Sequence, residues 1–240
     1  MDEQETIIEA FTELAPRYEG TVDRELQKFW GWSYEGFINH LINQTPINEH
    51  DVILDVATGT AVIPLKLIQE KKNGGQIVGL DITEAMLRRG NNKIKGNNSA
   101  KSIRLTCGDA MKMPFNQHSF DMVLCGLAVH HMDVDLLLSE MERVLKTGGR
   151  ISIADVGGST LWRIPVIREI LKAVAFSYFL VTENASRAWA EATAIPHIRT
   201  SEEWHSILTN LGFSSINIYK LPSKYKWIPD PLFIHATKTR

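Results

Sequence analysis

Asp51-Val52-Ile53-Leu54-Asp55-Val56-Ala57-Thr58-Gly59-Thr60-Ala61 is the stretch from which the fold can be read. Its first six residues are mostly β-branched or apolar and read as a buried strand, DVILDV at 51 to 56. Ala57-Thr58-Gly59 then breaks the run, and the pattern becomes helical from about 61 to 71. A strand that turns tightly through glycine into a helix exposes backbone N–H groups at the turn, where a ligand can approach the chain closely. One such turn is common and usually structural, so the unit gains meaning from what repeats after it.

The unit does repeat. QIVGLD at 76 to 81, SIRLTC at 102 to 107, DMVLCG at 121 to 126 and RISIAD at 150 to 155 read as strands, with helical patterns at 84 to 92 and 134 to 146. Thr147-Gly148-Gly149 reads as a helix end feeding the next strand. Alternation of this kind predicts crossover connections on a parallel sheet, an α/β fold. After Asp155 the alternation stops. Residues 160 to 195 read as one or two helices rich in aromatic residues, among them Trp162, Phe176, Tyr178, Phe179 and Trp189. A helix from Ser201, with Glu202 and Glu203 in its first turn, stops at Gly212, and SSINIYKL and PLFIHATK could close the sheet in antiparallel fashion. The first 45 residues are helical in pattern and carry Phe11, Tyr18, Phe29, Trp30, Trp32, Tyr34 and Phe37; packing onto the sheet edge and covering a ligand are both open for them.

The 240 residues suffice for one sizeable core, and 44% hydrophobic with 22% charged residues is the mix of a globular chain. A formal net charge of -2 supplies no basic field for a phosphate backbone, which argues against nucleic acid as partner. The N-terminal MDEQETIIEAFTEL lacks the basic flank and unbroken apolar run of a secretory signal and reads as a cytoplasmic start. The longest apolar tract, Ala173 to Val181, is too short for stable membrane insertion, though peripheral contact stays open for an apolar ligand. Cys107 and Cys125 would lie three strand spacings, roughly 14 Å, apart and beyond disulfide reach. The oligomeric state is not legible.

Ligands of an open parallel sheet bind beyond the carboxyl ends of its strands. There the sequence offers Gly59, then Asp81 22 residues later, the separation at which an acid reaches the ribose of a bound adenosine. A nicotinamide dinucleotide would use the same acid. Three features favour another adenosine cofactor: Asp55 precedes the loop, the later glycines of a G-x-G-x-x-G fingerprint are missing, and the third strand ends in Gly108-Asp109-Ala110, whose carboxylate could accept from an adenine amino group. The acids at 55, 81 and 109 are dispersed over three strand ends, so no metal centre is expected from them.

Taken together, LDVATGTA, GLDITEAML, CGDAMKMPF, SFDMVLCGLAVHHM and LKTGGRISIAD resemble, in order and spacing, the motifs of class I S-adenosylmethionine-dependent methyltransferases over residues 51 to 156. Within them the chain looks closest to the menaquinone and ubiquinone C-methyltransferases, whose N-terminal helix resembles FTELAPRYEG and whose cofactor loop is similar to DVATGTA. The resemblance implies a Rossmann-like fold with a seven-stranded, mostly parallel sheet, an antiparallel last strand and a helical lid. It implies one domain with a cover at 1 to 45, a cofactor core at 46 to 156, a lid at 157 to 200 and a helix and strand pair at 201 to 240. It also implies S-adenosylmethionine as cofactor, with Asp55, Ala57, Thr58 and Gly59 at its amino acid part, Asp81 and Ile82 at the ribose, Asp109 and Ala110 at the adenine, Cys125 on the fourth-strand side and Tyr18 closing over the methionine end. The quinone enzymes follow the fourth strand with a segment like G-L-R-N-V; here it is Gly126-Leu127-Ala128-Val129-His130-His131-Met132, more similar to small-molecule O-methyltransferases.

Methyl transfer demands near-attack placement of a nucleophile and modest acid–base help. His130 and His131 fall just past the fourth strand and Asp155 ends the fifth, so a carboxylate could orient an imidazole acting as base. Adjacent residues in an extended chain point opposite ways, so only one histidine is expected to face the methyl group. The expected reaction is methylation of oxygen or carbon on a small, apolar, cyclic acceptor. A nicotinamide oxidoreductase and a catalytically silent binding protein are the competing readings.

Overall fold

The computed structural model describes residues 3–71, 75–97 and 101–239. Its strands are β1 (Ile53–Val56), β2 (Ile77–Asp81), β3 (Ile103–Cys107), β4 (Phe120–Gly126), β5 (Leu145–Asp155), β6 (Phe213–Lys220) and β7 (Leu232–Lys238). They form one sheet in the order β3-β2-β1-β4-β5-β7-β6, with β7 antiparallel to both neighbours. The α/β fold with an antiparallel closing strand is thus the one the alternation predicts.

Helices cover both faces. They are α1 (Glu3–Leu14), α2 (Tyr18–Phe29), α3 (Tyr34–Gln44), α4 (Val62–Lys71), α5 (Glu84–Lys95), α6 (Val134–Val144), α7 (Pro165–Thr182), α8 (Ala185–Ala194) and α9 (Ser201–Asn210). Side chains alternate across a strand, so β1 serves two cores at once. Leu54 and Val56 join Leu137, Leu138 and Met141 of α6 and Trp204 and Leu208 of α9, while Ile53 joins Phe37, Ile38 and Leu41 of α3 and Leu67 of α4. All four residues of β1 are buried, as both-face coverage of a parallel strand requires. Helix starts follow local chemistry. Asp133 caps α6, and at α9 Thr200 and Glu203 exchange the two hydrogen bonds of a capping box. No helix among the described residues is long and apolar enough to cross a membrane.

One boundary differs from the sequence reading. The helix expected to run to 146 ends at Val144, and Leu145 already pairs with Phe120 of β4. Lys146 is drawn to the Asp121 carboxylate at 2.8 Å, and the ladder resumes only at Met122 and Arg150. Residues 146 to 149 therefore bulge out of β5, with Gly148 at a φ of 76° that glycine adopts freely. Cys107 and Cys125 are both free thiols, as their strand positions require.

Strand order reverses between β1 and β4, and the loops that leave these two strands part to open a crevice above the sheet. The far wall is set by a close approach after β5. A Cβ on Gly157 would lie 2.0 Å from the Asp230 carbonyl oxygen, so the 230 loop can lie where it does only because residue 157 has no side chain. Gly157→Ala should therefore push that loop outward and destabilise the fold by about 1–3 kcal/mol through overpacking. For a chain of this size that corresponds to roughly 2–4 °C of Tm per kcal/mol, readable by calorimetry. An unchanged Tm would show that the loop can move without cost.

Candidate active site

The loop after β1 is built from three left-handed residues in five: Ala57 at φ 54°, Gly59 at 54° and Ala61 at 61°. For alanine this conformation costs on the order of 1–2 kcal/mol, so something must hold it. Asp81, at the end of β2, is the fastener. One of its carboxylate oxygens accepts the Gly59 N–H at 2.8 Å and the other accepts the Thr83 N–H at 2.8 Å. The Thr58 N–H is bound by the Leu80 carbonyl at 2.9 Å. Burial pushes Asp81 above the usual carboxylate range, against the pull of those two N–H donors.

Above this loop lies a cavity of about 530 Å³. Of the residues expected at a cofactor, Tyr18, Ala57, Gly59, Asp81, Ile82, Asp109 and Ala110 line it. Three others do not. Asp55 is wholly buried on the α3–α4 side of the sheet with both carboxylate oxygens unpartnered, and burial pushes it up to about 7. Thr58 packs its side chain over Gly79 of β2, and Cys125 sits in the core between the sheet and α6. The cavity lies beyond the strand ends, so residues within β1 and β4 such as Asp55 and Cys125 are covered by the loops that follow them.

The N-terminal helices supply a wall that the sequence left undecided. Gln4 donates to the Asp109 carboxylate at 3.1 Å, and Ile7 and Phe11 line the same cavity. Glu19 fixes the start of α2 by accepting from Thr60 at 2.7 Å and from Lys93 of α5. Tyr18, buried and with its phenol proton held more firmly for that reason, stands edge-on to Tyr34.

A second cavity of about 310 Å³ adjoins the first, and Phe11, Tyr18, Leu127 and His131 line both. Its walls are largely apolar, from Val22, Leu26, Phe29, Trp30, Leu171 and Ile195. Of the lid aromatics singled out from sequence, Trp162 and Phe179 line it. Phe176 and Trp189 instead pair with each other at 5.1 Å, Trp189 being half exposed, and Tyr178 binds Lys28.

Val129, His130 and His131 form a 3-10 turn instead of extended chain. The two imidazoles therefore do not point opposite ways as expected; their centroids are 4.2 Å apart. Asp155 is bonded to His130 Nδ1 at 2.5 Å and also accepts the His130 backbone N–H at 2.9 Å. Burial works against charge on His130, but the Asp155 charge and hydrogen bond outweigh it and raise its pKa. His131 moves the other way: burial, then the positive charges of His130 and Arg187, hold it well below the ordinary histidine value. Its Nδ1 has no partner.

Two features of this cavity lie outside the sequence reading, a buried arginine and the acids around it. Arg187 of α8 is 5% exposed, and its guanidinium carbon lies 5.1 Å from the Phe11 ring centre and 5.5 Å from that of Phe179. It pairs with Glu191 at 2.7 Å and Glu25 at 3.3 Å, while its Nε and Nη1 have no acceptor. Glu25 is pushed up to about 7 by burial, against the Arg187 charge and with Glu191 and Glu183 adding to the rise. A charged pair four residues apart in the alanine-rich segment ASRAWAEATA is the only sequence signal for this cluster. His130, His131 and Glu191 also bring ligand-type atoms within 4.8 Å of one another, but the cation beside that carboxylate is the Arg187 guanidinium.

The first cavity fits a cofactor of net positive charge. Asp55 and Asp81 crowd the β1 and β2 ends with buried carboxyls whose ionised forms a nearby cation would stabilise, and Gly59 leaves the loop open to close approach, with Tyr18 the nearest group.

Comparison with known proteins supplies the context. The ubiE/COQ5 methyltransferase family profile matches residues 3–222. Demethylmenaquinone methyltransferase of Lactobacillus johnsonii is 29% identical over 185 residues, 77% of this chain and 71% of its own. The ubiquinone/menaquinone biosynthesis C-methyltransferase UbiE of Geobacter sp. strain M21 is 26% identical over 233 residues, 90% of this chain and 92% of its own. Among solved structures, phosphoethanolamine N-methyltransferase 2 of Haemonchus contortus in complex with S-adenosyl-L-methionine superposes with a TM-score of 0.66 over 96% of this chain and 60% of its own, at 18% identity, a likeness of fold.

Two measurements follow from this geometry. Asp81→Asn keeps the shape but replaces one acceptor oxygen by a donor, so S-adenosylmethionine affinity should fall at least about tenfold, the equivalent of one hydrogen bond to a charged group; an unchanged Kd would mean that the cofactor does not depend on this carboxylate. Ligand-free Asp55 holds a proton up to about pH 7, and a cationic ligand favours its ionised form. Binding should therefore release protons below that pH and tighten as pH rises through it. Calorimetric titration in buffers of different ionisation heat reads the release directly.

Proposed function

The chain belongs to the ubiE/COQ5 methyltransferase family and is an S-adenosylmethionine-dependent methyltransferase, and from this premise we propose that it methylates an oxygen or carbon of a small, apolar, cyclic, quinone-like acceptor held in the second cavity. The observation that carries the reading is the junction of the two cavities. Phe11, Tyr18, Leu127 and His131 line both, so a molecule in the smaller one lies against whatever fills the larger. When bound, S-adenosylmethionine supplies an electrophilic methyl group on sulfur. Its mostly aromatic and aliphatic walls suit a flat ring and hold it by area and shape, with the charged groups gathered around Arg187. Excluding water and fixing the approach angle are the main contributions such a site makes to methyl transfer.

In this reading Asp81 and Ile82 hold the ribose, Asp109 and Ala110 the adenine, and Ala57, Gly59 and Tyr18 the methionine end, with Asp55 acting from behind the sheet through its charge. His131 contacts the acceptor at the junction, and its lowered proton affinity suits it to orient the acceptor. His130 and Asp155 form the ion pair against which His131 is fixed. Residues 1 to 45 cover the cofactor and 157 to 200 form the lid over the acceptor. A cytoplasmic protein with transient access to a membrane-borne acceptor is consistent with this arrangement, and a net charge of -2 gives no reason to invoke nucleic acid. The dinucleotide reading is not favoured, given the family and the single glycine of the β1 loop.

Labelled methyl from S-adenosylmethionine should appear on a reduced naphthoquinone or polyphenol when the protein is screened against such compounds; cofactor binding without any labelled product would reject the acceptor class. His131→Ala should lower turnover about 10²-fold, the order lost when a positioned group is removed, with cofactor Kd near wild type. Asp155→Asn and His130→Ala should each reproduce part of that loss, and their combination should be less than additive because they act as one unit. Turnover that survives all three changes would remove the histidine pair from the mechanism.

A further inference from the structure

The second cavity holds more charge than an apolar acceptor needs. The Arg187 cluster joins α8 to α2 and sets the guanidinium against Phe11 and Phe179, yet one carboxylate would suffice for that, and its position on the cavity wall points to a chemical role as well. Arg187 is tied to one helix of the cover through Glu25 of α2 and to its own helix through Glu191, yet two of its donor nitrogens have no acceptor. A buried donor without a partner is expensive unless a ligand supplies the acceptor. The cluster also carries one carboxylate too many: Glu191 balances Arg187, His130 is balanced by Asp155, and Glu25 is left over.

Resting on the acceptor reading above, we infer that Glu25 and Arg187 form a proton-transfer pair that ionises a hydroxyl group on the acceptor ring. The acceptor O–H bond breaks, its electron pair stays on oxygen, and the proton passes to a Glu25 carboxylate oxygen. The resulting oxyanion takes hydrogen bonds from the Arg187 guanidinium. Net charge in the cavity does not change, because one anion is exchanged for another, and this is what makes the step feasible away from water. The oxyanion then forms its bond to the methyl group as the C–S electron pair returns to sulfur, and Glu25 gives up its proton to solvent after the product leaves. Where the activated ring carbon takes the methyl instead, its C–H bond breaks with the proton lost to solvent, the electron pair restores the ring, and Glu25 returns its proton to the oxygen. Both groups are suited to these roles. Burial already holds Glu25 near neutrality, where a carboxylate is a competent base, and the neighbouring acids keep Arg187 charged. The histidines then need hold no acceptor proton, in keeping with His130 being tied to Asp155 and with the lowered proton affinity of His131.

The probe is 2-naphthol, whose anion absorbs at longer wavelength than the neutral phenol, added to protein saturated with S-adenosylhomocysteine at about pH 8, where the free phenol is neutral. The ionised fraction of bound probe should exceed that of free probe by at least about tenfold, the effect of a single charge-assisted contact. Arg187→Gln should abolish the excess. Glu25→Gln should keep a bound anion but release a proton to the buffer that the wild type retains, which calorimetry in two buffers detects. A wild-type probe that stays neutral at saturation, a probe that does not bind, or an excess that survives Arg187→Gln overturns the inference. Should Arg187→Gln lose its fold, seen as loss of cofactor binding, the wild-type spectrum and the Glu25→Gln proton count still decide. Failure of the wild type to bind S-adenosylhomocysteine would instead strike at the acceptor reading on which this one rests.

Discussion

Everything at the site hangs on the carboxylate of Asp81. It ends β2 and holds the backbone of the neighbouring β1 loop through the Gly59 N–H, while also fastening its own loop through Thr83. Without that tie the left-handed alanines on either side of Gly59 would relax, and the crevice at the reversal of strand order would lose its floor. The same buried negative charge is costly in the unliganded protein and favourable beside a cation. One interaction thus shapes the loop, opens the cavity and sets the sign of charge the cavity accepts.

The cover works by the same economy of few contacts. Gln4 on Asp109, Glu19 on Thr60 and Lys93, and Glu25 on Arg187 anchor α1 and α2 at three points around the two cavities. Each anchor joins a helix of the first 45 residues to a loop or helix that the sheet positions. Phe11 and Tyr18 of this cover line both cavities, so the two cavities share walls.

The two histidines illustrate how a small change in local backbone redirects chemistry. In an extended strand they would face opposite sides; in a 3-10 turn the rings lie together, and the Asp155 contact raises the proton affinity of His130 while His130 lowers that of His131. Like charges this close oppose one another in a buried site, so the proton affinities of the two rings are driven apart, His130 upward and His131 downward. What looked like two interchangeable candidates becomes an anchor of raised proton affinity and a contact of lowered proton affinity.

The sequence by itself determined the sheet. Apolar strands and glycine turns repeat along the chain, and a local pattern of that kind is set by neighbours within a few residues. It also located Gly59, Asp81, Asp109 and the 130, 131 and 155 cluster, because parallel topology brings strand ends together whatever lies between them. Where a helix hands over directly to a strand the pattern was ambiguous, and Leu145 went to β5 because Phe120 was there to pair with it. Only the tertiary structure decided that Asp55, Thr58 and Cys125 are buried outside the cavity lining, since what the loops and helices cover is not written in residue type. Only it could join Glu25 to Arg187, 162 positions later, because a buried charge and a solvated one are written with the same residue and differ solely in what the folded chain places around them.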